Sequence, residues 1–398
     1  MSVTAPKGFR AAGVVAGLKA SGKPDLALVV NDGPDATAAG VFTANRVQAA
    51  PVLWSRQVLK SGVLKAVVLN SGGANACTGP AGFQDTHATA EHVAAALRSP
   101  GAKRMLLGAG EVAVCSTGLI GERLPMPKLL SGVNLAVKSL GRDSGGGLES
   151  GGVAAAEAIM TTDTVAKTVI VERDGWKVGG MAKGAGMLAP ALATMLVVLT
   201  TDAIAGSAAL DEALRAATRV TFDRLDSDGA MSTNDTVLLL ASGASGMEPT
   251  QEELTAAVTA ACHDLAQQLM NDAEGATKQV AIEVVNAADE DEAVEVGRAV
   301  ARNNLVKTAL FGNDPNWGRI LAAVGTTKAA FEADELNVAV NGVWICRGGA
   351  AAEDRSKVDL TGRDVHITID LNAGIDTATV WTNDLSHGYV HENSAYSS

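Results

Sequence analysis

In the first two hundred residues, unbroken apolar runs alternate with stretches that are apolar on one face only. Residues 25–30 (Asp-Leu-Ala-Leu-Val-Val) and 65–70 (Lys-Ala-Val-Val-Leu-Asn) read as short buried strands, each followed by turn residues. Residues 91–97, alanine-rich around His92 and Val93, suit a small-residue helix. Met105-Leu-Leu-Gly and the run 111–115 then lead into the turn Ser116-Thr-Gly-Leu-Ile-Gly121. Residues 144–152 (Ser-Gly-Gly-Gly-Leu-Glu-Ser-Gly-Gly) predict a flexible surface loop ahead of a helix starting near Val153.

Beyond residue 200 the alternation continues without a linker. Thr250-Gln-Glu-Glu253 is a capping box for a helix carrying Leu254, Val258, Ala261, Leu265 and Leu269 on one face and ending near Glu274-Gly275. Residues 279–285 follow as a strand, and the acids of Asp289-Glu-Asp-Glu292 fit the first turn of a helix, where they complement its dipole. From about residue 325 the pattern is β-rich. Residues 336–345 form a hairpin turning on Asn341-Gly342, Val365, Ile367 and Ile369 alternate in a later strand, and residues 378–381 form another.

Composition narrows the class. A chain of 398 residues exceeds one simple core, so two or three domains or subdomains are expected. Hydrophobic residues are 47% of the chain and aromatics 3%, which favours close-packed α/β layers over an aromatic-rich sandwich. With 32 Lys and Arg against 44 Asp and Glu, the net charge of −12 argues against a nucleic-acid partner. Cys77, Cys115, Cys262 and Cys346 lie far apart and suit free buried thiols in a reducing cytosol. The first residues lack the apolar core of a secretory signal. The longest apolar stretch, 188–199, is interrupted by Pro190 and Thr194, so no membrane span and a cytoplasmic location are expected.

Several chemistries drop out. The sequence has no GxxxxGK[ST], no HExxH and no G-x-S-x-G elbow. The six histidines show no convincing metal-ligand spacing. His387 and His391 are four apart, but the tail does not look helical and they read as solvated surface, so no metal is expected. The loop at 226–236 has DxDG spacing but Val237 where an EF-hand needs its twelfth-position glutamate.

What remains is a threonine. The small-residue segment 183–193 delivers Thr194 to the start of an apolar, β-branched run. By pattern alone such a threonine is more often a strand-opening residue. Cutting the Ala193–Thr194 bond would change that, because the freed α-amine could act as the hydroxyl's own base. Thr117 and Gly118, in a turn after a strand, could supply a hydroxyl and a backbone N–H to a developing oxyanion, or be an ordinary strand-ending turn. Glu274 sits poorly at the negative end of a helix, which leaves it either a solvated acid or a partner for a substrate ammonium. Lys183 is either a surface lysine or a carboxylate clamp.

The motifs Gly8-Phe-Arg-Ala-Ala-Gly-Val14, Gly40-Val-Phe-Thr-Ala-Asn-Arg-Val-Gln-Ala-Ala-Pro51, Asn70-Ser-Gly-Gly-Ala-Asn-Ala-Cys-Thr-Gly79 and Ser116-Thr-Gly-Leu-Ile-Gly121 occur in that order. Met160-Thr-Thr-Asp-Thr164, Lys183-Gly-Ala-Gly-Met187, Ala193-Thr194-Met-Leu, Ser232-Thr-Asn-Asp-Thr236, Leu305-Val-Lys-Thr-Ala309 and Phe311-Gly-Asn-Asp-Pro-Asn-Trp-Gly-Arg319 follow. Together they resemble the ornithine acetyltransferase family, bifunctional in glutamate and amino-acid acetylation, over nearly the whole chain.

The resemblance implies an α/β fold: a layered αββα sandwich like that of N-terminal-nucleophile enzymes, with a smaller β-rich C-terminal domain. It implies self-cleavage between Ala193 and Thr194 into an α chain (1–193) and a β chain (194–398). The β chain would comprise a nucleophile strand and α/β region to about 285 and an α+β region from about 286. Thr194 would take the acetyl group of N-acetylornithine and pass it to glutamate in arginine synthesis, with Thr117 and Gly118 as the oxyanion hole. Substrate-binding positions fall on Thr161, Thr162, Lys183, Thr194, Glu274, Asn393 and Ser398. No cofactor is implied, and acetyl-CoA stands open as a second acetyl donor. The α and β chains would associate as α₂β₂ or larger.

Two departures stand out: Gly73 where relatives usually carry asparagine, and Ser398 in place of threonine. Two other functions compete, an N-terminal-threonine amidohydrolase or aminopeptidase that passes acyl groups to water, and a non-catalytic amino-acid-binding protein.

Overall fold

The run Leu196–Thr201 is apolar enough to be buried on both faces, and its side chains divide between two cores. Leu196 and Val198 face one core, and Val197 and Leu199 face the other, as the two-residue period of a strand requires. Strand Thr236–Ala241 divides likewise, Leu238 and Leu240 one way and Val237, Leu239 and Ala241 the other. These two strands are parallel neighbours in the middle of a five-stranded sheet. Thr37–Phe42 lies on one flank, and Trp176–Lys183 and Lys167–Arg173 lie on the other. The computed structural model describes residues 2–98, 107–140, 147–188 and 195–395.

A second sheet of four strands, in the order Phe9–Val14, Leu26–Asn31, Ala66–Ser71, Val112–Thr117, shares the first of these cores. Its outer face is covered by helices Gly79–Arg98 and Met126–Ser139, and helix Gly147–Ala158 packs along strand Phe9–Val14. The five-stranded sheet is covered on its far side by Ser207–Val220 and Gln251–Asn271. The result is four layers, αββα. Each Leu, Val or Ile in these doubly covered strands contributes about 1.5–3 kcal/mol of burial, so the layered interior favours aliphatic runs over aromatics.

The capping box on helix Gln251–Asn271 is formed, and Leu254, Val258, Ala261, Leu265 and Leu269 are buried along it as their spacing predicts. The third sheet, six-stranded, carries the β-rich C-terminal part. Its hairpin Asn337–Val340 and Val343–Arg347 turns on Asn341 and Gly342, both at positive φ. Helix Glu290–Ala301 packs its apolar face on Val280, Ile282 and Val284 of strand Gln279–Ala287.

Three expectations are corrected. Of the four thiols expected to be buried, Cys115, Cys262 and Cys346 are, whereas Cys77 is exposed. The glycine stretch ahead of Val153 is not all loop, because the helix begins at Gly147. A Cβ on Gly151 would lie 2.3 Å from the Ala11 carbonyl oxygen, so this glycine permits close helix–sheet approach rather than flexibility. The tail is also helical, over His387–Ala395, although its sequence carries no apolar stripe. That helix is held by docking: the Ser386 hydroxyl donates to the Gly275 carbonyl at 2.5 Å and accepts from the Tyr389 N–H. The segments 105–106, 142–146, 189–194 and 396–398, which include Ala193, Thr194 and Ser398, lie outside the described residues.

Candidate active site

Strand Val112–Thr117 ends in one sheet and Trp176–Lys183 in the other, and their last residues meet where the two sheets face each other. The Lys183 ammonium lies 3.4 Å from the Thr117 hydroxyl, and both side chains are buried. Gly118 follows at φ +125°, and a Cβ there would lie 2.6 Å from the Gly73 nitrogen. The tightness has a cause: the N–H groups of Gly72 and Gly73 both donate to the Thr117 carbonyl at 3.0 Å. Among the described residues no acceptor takes the Gly118 N–H, which leaves it available to an oxyanion. The departure at Gly73 also finds a physical context, since any side chain there would meet Leu124 at 2.7 Å.

This turn is braced by polar groups. Asn70 accepts from the Ser116 hydroxyl at 2.6 Å and donates to the Gly73 carbonyl. Asn234, from the Ser-Thr-Asn-Asp-Thr segment of the other sheet, donates to the carbonyls of Ala74 and Ser116 at 2.7 and 2.8 Å. Next to it, the fully buried Asp235 accepts from the Met195 N–H at 3.1 Å, one residue from the threonine position. Burial holds the Asp235 carboxyl well above the usual range, and its second oxygen has no hydrogen-bond partner among the described residues.

Lys183 belongs to a buried charge network that the sequence does not announce. Asp163 accepts from Lys167 at 2.7 Å and from the Gly184 N–H at 2.6 Å, and Lys167 also pairs with Asp272 at 2.6 Å. Burial alone would raise the Asp163 carboxyl, but Lys183 and Lys167 outweigh it and bring it down to about 2. Burial pulls the Lys183 ammonium below the usual lysine range, with Asp163 opposing. The network fixes Thr161 as well, whose N–H donates to Asp163 at 2.9 Å.

Two cavities adjoin these residues. One, of about 680 Å³, is lined in part by Gly72, Gly118, Thr161 and Asp163. The other, of about 560 Å³, is lined by Thr161, Thr162, Glu274, Asn393 and their neighbours. Thr161 and Thr164 line both, so the cavities meet there. Glu274 is three residues past the helix that ends at Asn271 and is anchored by its N–H to the Ala185 carbonyl at 2.9 Å. Its carboxylate accepts from Asn393 at 3.0 Å, which ties the C-terminal helix to the pocket wall. A Cβ on Gly186 would meet that carboxylate at 2.6 Å, so the Lys183-Gly-Ala-Gly segment is small because Glu274 lies against it.

The structure thus brings together Thr117, Gly118, Thr161, Thr162, Lys183, Glu274 and Asn393, drawn from both sheets and the C-terminal helix. Asp163, Lys167 and Asp235 went unassigned in the sequence, although two of the quoted motifs contain Asp163 and Asp235. Their signal is burial of charge, which sequence spacing does not carry.

The profile of the ArgJ family matches residues 10–398. The chain belongs to the ArgJ family. The arginine biosynthesis bifunctional protein ArgJ of Streptomyces avermitilis is 68% identical over 398 residues, covering all of both chains. That of Thermobifida fusca is 62% identical over 397 residues, again covering all of both. A crystal structure of ornithine acetyltransferase from Mycobacterium tuberculosis in complex with ornithine is 65% identical, with a TM-score of 0.45 over 49% of this chain and 96% of that one. This ArgJ-family chain is accordingly an enzyme of arginine biosynthesis. Among its described residues no helix is long and apolar enough to cross a membrane.

Proposed function

We propose that this ArgJ-family enzyme cuts itself between Ala193 and Thr194 and then transfers an acetyl group from N2-acetyl-L-ornithine to L-glutamate. The products are L-ornithine and N-acetyl-L-glutamate, formed in a ping-pong cycle through acetyl-Thr194. The observation that carries this reading is the convergence of Thr117, Gly118 and Lys183 from two sheets beside the cavity that Thr161, Thr162, Glu274 and Asn393 line.

The steps follow from these groups. The Thr194 hydroxyl attacks the acetyl carbonyl and passes its proton to its own α-amine, whose ordinary pKa of about 8 leaves an appreciable neutral fraction near pH 7. The developing oxyanion is met by the Thr117 hydroxyl and the unclaimed Gly118 N–H, a pair of donors of the kind worth about 3–4 kcal/mol each when preorganised. The C–N bond breaks, the proton returns to the departing amine, and ornithine leaves. Glutamate's amine then attacks the acetyl ester and regenerates Thr194. Lys183 receives a substrate carboxylate, Glu274 the ornithine side-chain ammonium, Asn393 contacts substrate from the pocket wall, and Ser398 is a further substrate-binding residue. Acetyl-CoA serves as a second donor to the same threonine. The two chains stay together in the cytoplasm, in an α₂β₂ or larger assembly.

Thr194→Ala tests the reading. The variant is expected to remain one polypeptide of the full 40.4 kDa and to release no ornithine from N-acetylornithine. A variant that still yields two fragments and still transfers acetyl groups overturns it.

A further inference from the structure

A ping-pong cycle sends two substrates of opposite side-chain charge through one pocket. Ornithine carries an ammonium where glutamate carries a carboxylate. A pocket holding Glu274 alone would welcome the first and repel the second, because two like charges a few Å apart in a partly enclosed site oppose each other. Asp272 and Glu392 line the same cavity: Lys167 and Thr164 already occupy the oxygens of Asp272, whereas the exposed Glu392 adds to the repulsion.

Arg363 answers the charge problem. It is the one arginine or lysine lining this cavity among the described residues, and it enters from the C-terminal sheet just ahead of strand Asp364–Asp370. Its guanidinium is oriented by two backbone carbonyls, donating to Asn271 at 2.6 Å and to Ala276 at 3.3 Å. Among the described residues no carboxylate lies within ion-pair distance of it. Two of its five N–H groups are therefore committed to carbonyls that carry no net charge, and among the described residues the fork has no ionic partner in the cavity that Glu274 also lines. Asn271 and Ala276 bracket Glu274 in sequence, so the guanidinium is tied to the same short segment that carries the anion.

We infer that Arg363 is the residue that selects glutamate as acceptor, receiving its side-chain carboxylate in the second half of the cycle. The inference rests on the acetyl-transfer reading above. Glu274 and Arg363 then divide the pocket: one serves the donor's ammonium and the other the acceptor's carboxylate, without either substrate having to displace an internal ion pair.

The test separates the two half-reactions in the full-length protein. Ornithine release from N-acetylornithine alone reports the donor half, and the ratio of kcat/KM for glutamate over glutamine reports recognition of the acceptor's charge. Arg363→Met is expected to lower that ratio about 5- to 30-fold, the range for losing a charge-assisted hydrogen bond, while ornithine release moves less than about twofold. Arg363→Lys, which keeps the charge, is expected to recover most of the ratio. A methionine variant that keeps the wild-type ratio overturns the inference. So does one that weakens both half-reactions alike, which is what loss of the carbonyl contacts alone would do. If wild-type protein releases no ornithine, the acetyl-transfer reading falls and this inference falls with it.

Discussion

At the scale of single residues, the site is governed by buried charge whose partners are fixed. Asp163 stands between Lys167 and Lys183, and both lysines lie almost wholly out of water. Replacing it by asparagine keeps the shape and removes a formal negative charge that faces both cations. Removing one member of such a cluster costs about 3–5 kcal/mol, so Asp163→Asn is expected to lower the stability of the protein by that order and to weaken substrate binding through Lys183. Denaturant titration measures the first, and a variant as stable as wild type contradicts it. The same carboxyl predicts a pH dependence. Its folded value of about 2 lies below the roughly 3.9 of a free aspartate, so its stabilisation is complete above pH 4. It is lost as pH falls from about 4 toward 2, a term of about 2 kcal/mol. None of this is visible in the sequence, where Met160-Thr-Thr-Asp-Thr164 is only a motif. Thr117, Gly118, Lys183 and Glu274 were visible as candidates because their residue types matched the chemistry of an activated threonine.

At the scale of elements, legibility follows the origin of each element's stability. The strands around residues 25–30 and 65–70 and the helix after Thr250 carry their own signals, namely doubly buried aliphatic runs and a capped amphipathic face. The terminal helix His387–Ala395 carries none, because it owes its place to tertiary contact. Gly275, at φ +60°, is the seat of that contact, and a Cβ there would lie 2.1 Å from the Tyr389 nitrogen. Gly275→Ala therefore pushes the helix away and separates Asn393 from Glu274. The expected outcome is a KM for N-acetylornithine raised about tenfold or more, given the sensitivity of bound geometry to shifts near 1 Å. Steady-state kinetics checks it, and an unchanged KM would show that the helix does not form the pocket wall.

At the scale of the molecule, the proposed cut divides the chain between strands that share one sheet. Thr37–Phe42, Lys167–Arg173 and Trp176–Lys183 precede it, and Leu196–Thr201 and Thr236–Ala241 follow it. Strand Leu196–Thr201 is hydrogen-bonded to Trp176–Lys183 along its whole length, and the shared cores cross the cut as well. Two cleaved chains are thus expected to elute together under native conditions and to separate only in denaturant. Two fragments that part in buffer would contradict the arrangement. The layered α/β architecture was legible from composition and alternation, whereas the interleaving of strands from both halves is a matter of long-range pairing that no local pattern encodes.

The central claim is that Thr194 becomes a free N-terminal nucleophile that carries the acetyl group. Intact mass of the denatured protein, before and after a short exposure to N-acetylornithine without glutamate, tests it most directly. The account predicts two chains that divide at Ala193–Thr194, with one acetyl group, about 42 Da by its chemical composition, added to the fragment that begins at Thr194 and removed again by glutamate. A single uncut chain, or two chains with no acetyl added, would contradict it.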